Sequence, residues 1–211
     1  MSEGERSNGL PGRRRARDAH DFEATYVAGR PPWDIGRPQS AFRELADHGR
    51  LVGRVLDVGC GTGEHALMAA AIGLDATGVD AASTAVTIAR RKANERDLRA
   101  RFLTWNALQL ADLGESFDTV VDCGLFHVFD DLDRPRFVAA LRDSTPVGAW
   151  YYMLCFSDLE PGDWGPRRIQ QDEIQVSFSD GWRVEEIEPA TIEITVAPGT
   201  VRAWLASILR I

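Results

Sequence analysis

Val55-Leu56-Asp57-Val58-Gly59-Cys60-Gly61-Thr62-Gly63 is an apolar run ending in three glycines at alternate positions. Arg54 to Val58 has the length and apolar character of a short buried strand. Glu64 to Ala71 follows as a run of strong helix formers. The glycines therefore occupy the turn between a strand and a helix. Gly59 and Gly61 let the backbone turn tightly and approach a ligand, and Gly63 opens the helix. Such a turn sets backbone N–H groups around a ligand at a helix N-terminus.

Outward from this turn, strands and helices alternate. Strands are expected at Asp75–Val79, Ala100–Thr104, Phe117–Val121 and Ala149–Phe156. Helices are expected near residues 39–48, at Ser83–Glu95, at Leu132–Arg142 and at Gln171–Phe178. Apolar strands separated by helices imply a parallel sheet covered on both faces. Trp182–Ile194 and Val201–Arg210 are expected to pair as an antiparallel hairpin at one sheet edge. The class is α/β, a Rossmann-like, mostly parallel sheet.

Residues 1–20 carry five Arg against three acids and read as a flexible basic tail. Residues 21–38 mix aromatics with Gly and Pro, too Pro-rich for a helix and too aromatic for a plain linker. Residues 21–211 form a single domain by this reading, without internal repeats. The net charge of -8 leaves the body after the tail strongly acidic, which disfavours nucleic acid as a partner. No run of eighteen apolar residues exists and no secretory signal opens the chain, so no membrane partner is expected. Cys60, Cys123 and Cys155 have neither metal-ligand spacing nor the number for a disulfide framework. A reducing cytoplasm and no metal site are the expectation.

The loop spacing separates two ligand chemistries. A nicotinamide enzyme uses G-x-G-x-x-G. Here the spacing is G-x-G-x-G, and Glu64 falls where the third Gly belongs. A carboxylate facing a pyrophosphate is unfavourable. The sulfonium and ammonium groups of S-adenosylmethionine tolerate nearby acids. Asp80 ends the second strand, where a carboxylate can accept both ribose hydroxyl hydrogen bonds or, alternatively, cap the next helix. Asn106, after the third strand, is a candidate for the adenine edge, with small Ala107 beside it. Ala81, Asp122 and Cys123 lie at strand ends on the same sheet edge, where ligands of open α/β sheets bind.

These strand-end motifs resemble those of class I S-adenosylmethionine-dependent methyltransferases, over roughly residues 22–211. Pro31-Pro32-Trp33-Asp34-Ile35-Gly36-Arg37-Pro38 resembles the N-terminal segment of thiopurine and halide/thiol methyltransferases. Phe117 to Phe129 resembles small bacterial relatives, among them mycobacterial enzymes acting on heterocyclic phenolic or quinolone-like compounds. The resemblance implies a seven-stranded sheet with an antiparallel last hairpin. It implies S-adenosyl-L-methionine as donor, S-adenosyl-L-homocysteine as product, and the Trp33 segment as a lid over the donor. The family's thiopurine members carry a longer N-terminus and insertions that this chain lacks.

The expected activity is methyl transfer to O, N or S of a small aromatic heterocyclic or thiol acceptor. A non-catalytic S-adenosylmethionine-binding protein and a nucleotide-cofactor oxidoreductase are the alternatives. His127 is the candidate general base, because its ordinary pKa lies near neutrality. Thiolates and acidic phenols arrive ionised and need no base. Tyr26, Trp33 and Phe126 are candidates for an aromatic wall against a planar acceptor, and Trp164 for a lid. Arg37, Arg167 and Arg168 are candidates to meet an anionic acceptor or the donor carboxylate. Cys60 and Cys123 are read as small pocket-lining side chains. A monomer or homodimer is expected.

Overall fold

The computed structural model describes residues 19–162 and 164–211. The expected basic tail lies outside these residues, except that Ala19 and His20 open a helix.

Seven strands form one sheet in the order β3-β2-β1-β4-β5-β7-β6. They are β1 (Arg54–Val58), β2 (Asp75–Asp80), β3 (Ala100–Thr104), β4 (Thr119–Cys123), β5 (Trp150–Phe156), β6 (Trp182–Glu193) and β7 (Thr200–Arg210). The first five pair in parallel, and β7 runs antiparallel between β5 and β6. The chain therefore forms the expected Rossmann-like sheet with its antiparallel hairpin. β4 begins two residues later than expected. Phe117 is buried, but its N–H goes to Ser144 O, and the β4–β5 ladder starts at Thr119 paired with Trp150.

Alternation along β5 explains the two-sided burial. Tyr151, Met153 and Cys155 join one apolar cluster, and Tyr152, Leu154 and Phe156 join another. Successive side chains of a strand point to opposite faces. The first cluster is covered by α5 (Asp133–Asp143) and α6 (Gln171–Ser177) through Phe137, Leu141 and Ile174. The second is covered by α2 (Ser40–Asp47) through Phe42 and Leu45. α3 (Glu64–Ala71) and α4 (Ser83–Glu95) pack around β1 and β2 through Ala66, Leu67, Val86 and Ala89.

One expectation about the N-terminal segment is corrected. Residues 21–37 are not uniformly irregular, because α1 spans Ala19–Ala28. That stretch holds no Gly or Pro and ends at Gly29, whose φ of 144° no helix accepts. The prolines that suggested an irregular segment begin only at Pro31. α1 is fastened to α4 by Glu23, which accepts hydrogen bonds from Thr84 N at 3.1 Å and Thr84 Oγ1 at 2.6 Å.

Candidate functional site

The carboxyl ends of β1, β2 and β4 converge around the glycine loop. Gly59 and Gly61 adopt positive φ, as the sequence required. Gly61 donates its N–H to Asp80 Oδ2 at 2.8 Å, and Ala82 N–H donates to Asp80 Oδ1 at 2.8 Å. Asp80 thus closes the loop onto β2 and ties it to Ala82 just before α4, while each carboxylate oxygen keeps a second lone pair. Burial raises its carboxyl pKa.

Asp57 is buried at the end of β1. Its Oδ2 accepts from Ala66 N–H at 3.1 Å, and its Oδ1 has no hydrogen-bond partner. Burial pushes the carboxyl up to about 8, with Asp80 and Asp122 adding to the shift. His65 Nδ1 stands 3.8 Å from Oδ1, beyond a hydrogen bond. Gln39 N–H donates to His65 Nε2 at 3.2 Å, and burial lowers the ring to about 4. An orphaned buried carboxylate oxygen fits a cationic ligand, such as a sulfonium or ammonium group.

Tyr26 of α1 and Trp33 stand together over this loop. The Trp33 indole N–H donates to Tyr26 Oη at 3.0 Å, and the rings meet edge-on at 6.2 Å. A Cβ on Gly61 would lie 2.6 Å from Tyr26 Oη, so only glycine admits this approach. Tyr26 therefore sits at the glycine loop, not with Phe126 in one wall. Ala81 is exposed beside Asp80, Cys123 is half-buried, and Cys60 is buried. Burial raises both thiols well above their ordinary range, which leaves them protonated. Asn106 is exposed, and its Oδ1 accepts the Leu108 N–H at 3.0 Å. Ala107 packs against the large apolar cluster.

Four sequence expectations change. Glu64 does not face a ligand. It is buried under α4, where Lys92 Nζ bonds it at 2.8 Å and Arg96 bonds both oxygens at 2.8 and 2.9 Å. Burial works against its charge, but Arg96 and Lys92 outweigh that and hold the carboxyl below its ordinary value. Glu64 therefore presents no charge to a ligand at the loop and does not discriminate against a pyrophosphate. Gly63 opens α3 as expected, at φ 86°, and it also serves packing, since a Cβ there would meet Phe102 at 2.6 Å and Ala89 at 2.8 Å. Asp122 is turned into the core. Leu125 N–H bonds Oδ1 at 2.7 Å, and Phe126 N–H and Tyr151 Oη bond Oδ2 at 3.1 and 2.7 Å. Burial still raises it to about 6. Phe126 is fully buried against Phe178 and lines no open surface.

His127 is the fourth. Its Nδ1 accepts the Phe156 backbone N–H at 3.0 Å. A backbone N–H only donates, so Nδ1 keeps its lone pair there and the neutral ring carries its proton on Nε2. Burial, and then Arg168, lower the ring to about 3. This arrangement opposes a general-base role.

Trp164 is partly exposed and edge-on to Phe156 at 5.9 Å, while Phe156 is edge-on to His127 at 5.0 Å. The Arg168 guanidinium lies over both the Phe156 and Trp164 rings, at 5.2 and 5.4 Å. Arg37 pairs with Glu193, and Arg167 with Asp131 and Glu173. A cavity of about 510 Å³ lies at the opposite, amino-terminal ends of β1 to β3, beside Arg54, Asp75 and Arg101.

Sequence reading missed the brace behind the loop. Lys92 Nζ also donates to Thr62 Oγ1 at 2.7 Å, tying α4 to the middle of the glycine turn. Lys92 and Arg96 stand four apart, a spacing that places both on one helix face. Among the described residues no group of three His, Cys, Asp or Glu is arranged for a metal ion, and no helix is long and apolar enough to cross a membrane.

The chain matches a methyltransferase-domain family model over residues 55–146. It is 33% identical over 181 residues to the 2-heptyl-1-hydroxyquinolin-4(1H)-one methyltransferase of Mycobacteroides abscessus, covering 81% of this chain and 80% of that protein. It is 27% identical to probable thiol methyltransferase 2 of Arabidopsis thaliana, covering 73% and 69%. A protein solved in work on the conversion of a disulfide bond into a thioacetal group during echinomycin biosynthesis superposes with TM-score 0.83 and 35% identity, covering 92% and 93%. Magnesium protoporphyrin IX methyltransferase from Synechocystis, solved with bound SAH, shares the fold at TM-score 0.62 and 21% identity, covering 81% and 80%.

Proposed function

The chain belongs to the S-adenosylmethionine-dependent methyltransferases, and from that premise we propose that it methylates O, N or S of a small aromatic heterocyclic or thiol acceptor. The observation that carries the site assignment is the Asp80–Gly61 hydrogen bond, which joins the ends of β1 and β2 into one receptor. The acceptor class is supported by the relatives' names, one a hydroxyquinolone enzyme and one a probable thiol enzyme.

The donor, when bound, supplies a methyl group already activated on a sulfonium. The protein's task is alignment and exclusion of water. In our reading Asp80 takes the ribose hydroxyls with its two remaining lone pairs. Asp57 Oδ1 takes the positive charge of the methionine portion. Gly59 and Gly61 admit close approach, with Ala81 and Cys123 along the rim. Asn106 offers its amide NH₂ to the adenine edge, beside Ala107. Trp33 covers the donor, within a lid formed by residues 21–38. Gly63, Cys60 and Asp122 stand behind these groups and hold them. Trp164 lies on the acceptor side.

The test is a panel of thiols, phenols and hydroxyquinolines, with SAH release as readout. The reading expects release that depends on the acceptor. Tight SAH binding without release for any acceptor would favour a non-catalytic binding protein.

A further inference from the structure

Resting on the methyltransferase reading above, we propose that His65 is a positioning residue for the methyl donor: its Nδ1–H, with the Gln39 N–H behind the ring, holds Asp57 Oδ1 ready for the donor's ammonium group. Two unsatisfied groups stand side by side here. Asp57 Oδ1 is buried without a hydrogen-bond partner. His65 Nδ1 lies 3.8 Å from it, and among the described residues Nδ1 makes no hydrogen bond. An N–H···O bond spans about 2.7–3.2 Å, so a side-chain shift of under about 1 Å closes the pair.

The far side of the ring decides where its proton sits. Gln39 N–H donates to Nε2 at 3.2 Å, so Nε2 keeps its lone pair and the neutral ring carries its proton on Nδ1. Gln39 is itself fixed. Its side chain accepts the Glu193 N–H at 2.8 Å and donates to Glu193 O at 3.0 Å, which ties the start of α2 to β6. Phe42 of α2 meets the His65 ring edge-on at 4.7 Å. The next residue of α3, Ala66, donates its N–H to the other Asp57 oxygen, Oδ2, at 3.1 Å. The first turn of α3 therefore addresses both oxygens of one carboxylate. Oδ1 has two lone pairs and can accept from His65 and from an ammonium group together.

The charges around the pair leave work for this N–H. Asp80 on β2 and Asp122 on β4 oppose a negative charge on Asp57. The Cys60 and Cys123 thiols are protonated and contribute no charge. Burial outweighs the pull of Glu64 on His65 and keeps the ring neutral, while Lys92 and Arg96 hold Glu64 itself. None of these groups stabilises the Asp57 carboxylate. A neutral N–H donor does, without competing for the donor's positive charge.

The experiment titrates SAH, and 5′-methylthioadenosine, which lacks the amino-acid end, into wild type, His65→Phe and His65→Asn from about pH 6 to 9. His65→Phe keeps a ring against Phe42 but has no donor, and His65→Asn keeps an N–H near the Nδ1 position. Wild-type SAH affinity should rise with pH as Asp57 loses its proton, toward about 8. His65→Phe should weaken SAH binding about tenfold near neutral pH, move that rise to higher pH and leave methylthioadenosine binding unchanged. His65→Asn should restore both the affinity and the midpoint. An equal loss for both ligands, a wild-type profile in His65→Phe, or no recovery in His65→Asn would overturn the inference and leave the methyltransferase reading intact. Absence of SAH binding in folded wild type would overturn both. Where His65→Phe fails to fold, His65→Leu carries the same comparison.

Discussion

Gly61 and Asp80 are joined by a 2.8 Å hydrogen bond from backbone N–H to carboxylate, which makes the glycine turn and the end of β2 one unit. The same carboxylate accepts the N–H of Ala82, just before α4. Removing it should therefore cost ligand affinity and local order together. Asp80→Ala should weaken SAH binding by at least tenfold, since hydrogen bonds to a charged group contribute about 1.5–3 kcal/mol. Asp80→Asn, which keeps an acceptor for Gly61, should lose less. Calorimetric titration separates the two.

Asp57 gives a pH signature. The folded protein holds this proton up to about 8, against an ordinary value of 3.8. Between those values the native state binds more protons than the unfolded chain, so stability falls as pH rises through the window. His65 and His127, lowered from 6.5 to about 4 and about 3, act in the opposite sense, and only below 6.5. The raised Asp122 has lost its proton by about 6. From about pH 6.5 to 8 the ligand-free protein should thus lose stability, and Asp57→Asn should flatten that slope while weakening SAH binding. Denaturant melts across this range check it; an unchanged slope in Asp57→Asn would contradict it.

Phe126 separates a core residue from an acceptor wall. Phe126→Ala should cost about 3–5 kcal/mol of stability, as large-to-small core substitutions do. Acceptor KM should change little in whatever folded fraction remains. A variant of native stability with a raised acceptor KM would restore Phe126 to the substrate surface.

The brace under the loop offers a different test. Lys92→Met removes bonds to both Thr62 and Glu64 and leaves Glu64 with Arg96 alone. Stability should fall by about 1–3 kcal/mol and SAH affinity by a few fold. Thr62→Val should weaken affinity through the same contact, so the double variant should fall short of the sum.

The regular frame was legible because its signals are local. Apolar strands and a helix-forming run at Glu64–Ala71 flank the glycines, and positive φ at Gly59 and Gly61 follows from the turn they make. α1 was hidden because the prolines at 31 and 32 and the arginines before residue 18 colour a ten-residue stretch that contains neither. Asp122 and Phe126 were read toward a ligand because strand order locates the correct end of the sheet but not the face. Asp122 points to the side of Tyr151, which only the pairing of β4 with β5 reveals. His127 carried the right residue type for a base, yet its role depends on a backbone N–H twenty-nine residues away. Glu64 carried a charge whose partners lie on the next helix.

The measurement that bears most directly on the site is calorimetric titration of SAH into wild type, Asp57→Asn and Asp80→Ala. The structure predicts one site per chain in wild type and at least a tenfold loss of affinity in each variant. Absence of SAH binding in folded wild type, or equal affinity in all three proteins, would contradict the placement of the donor at the ends of β1 and β2.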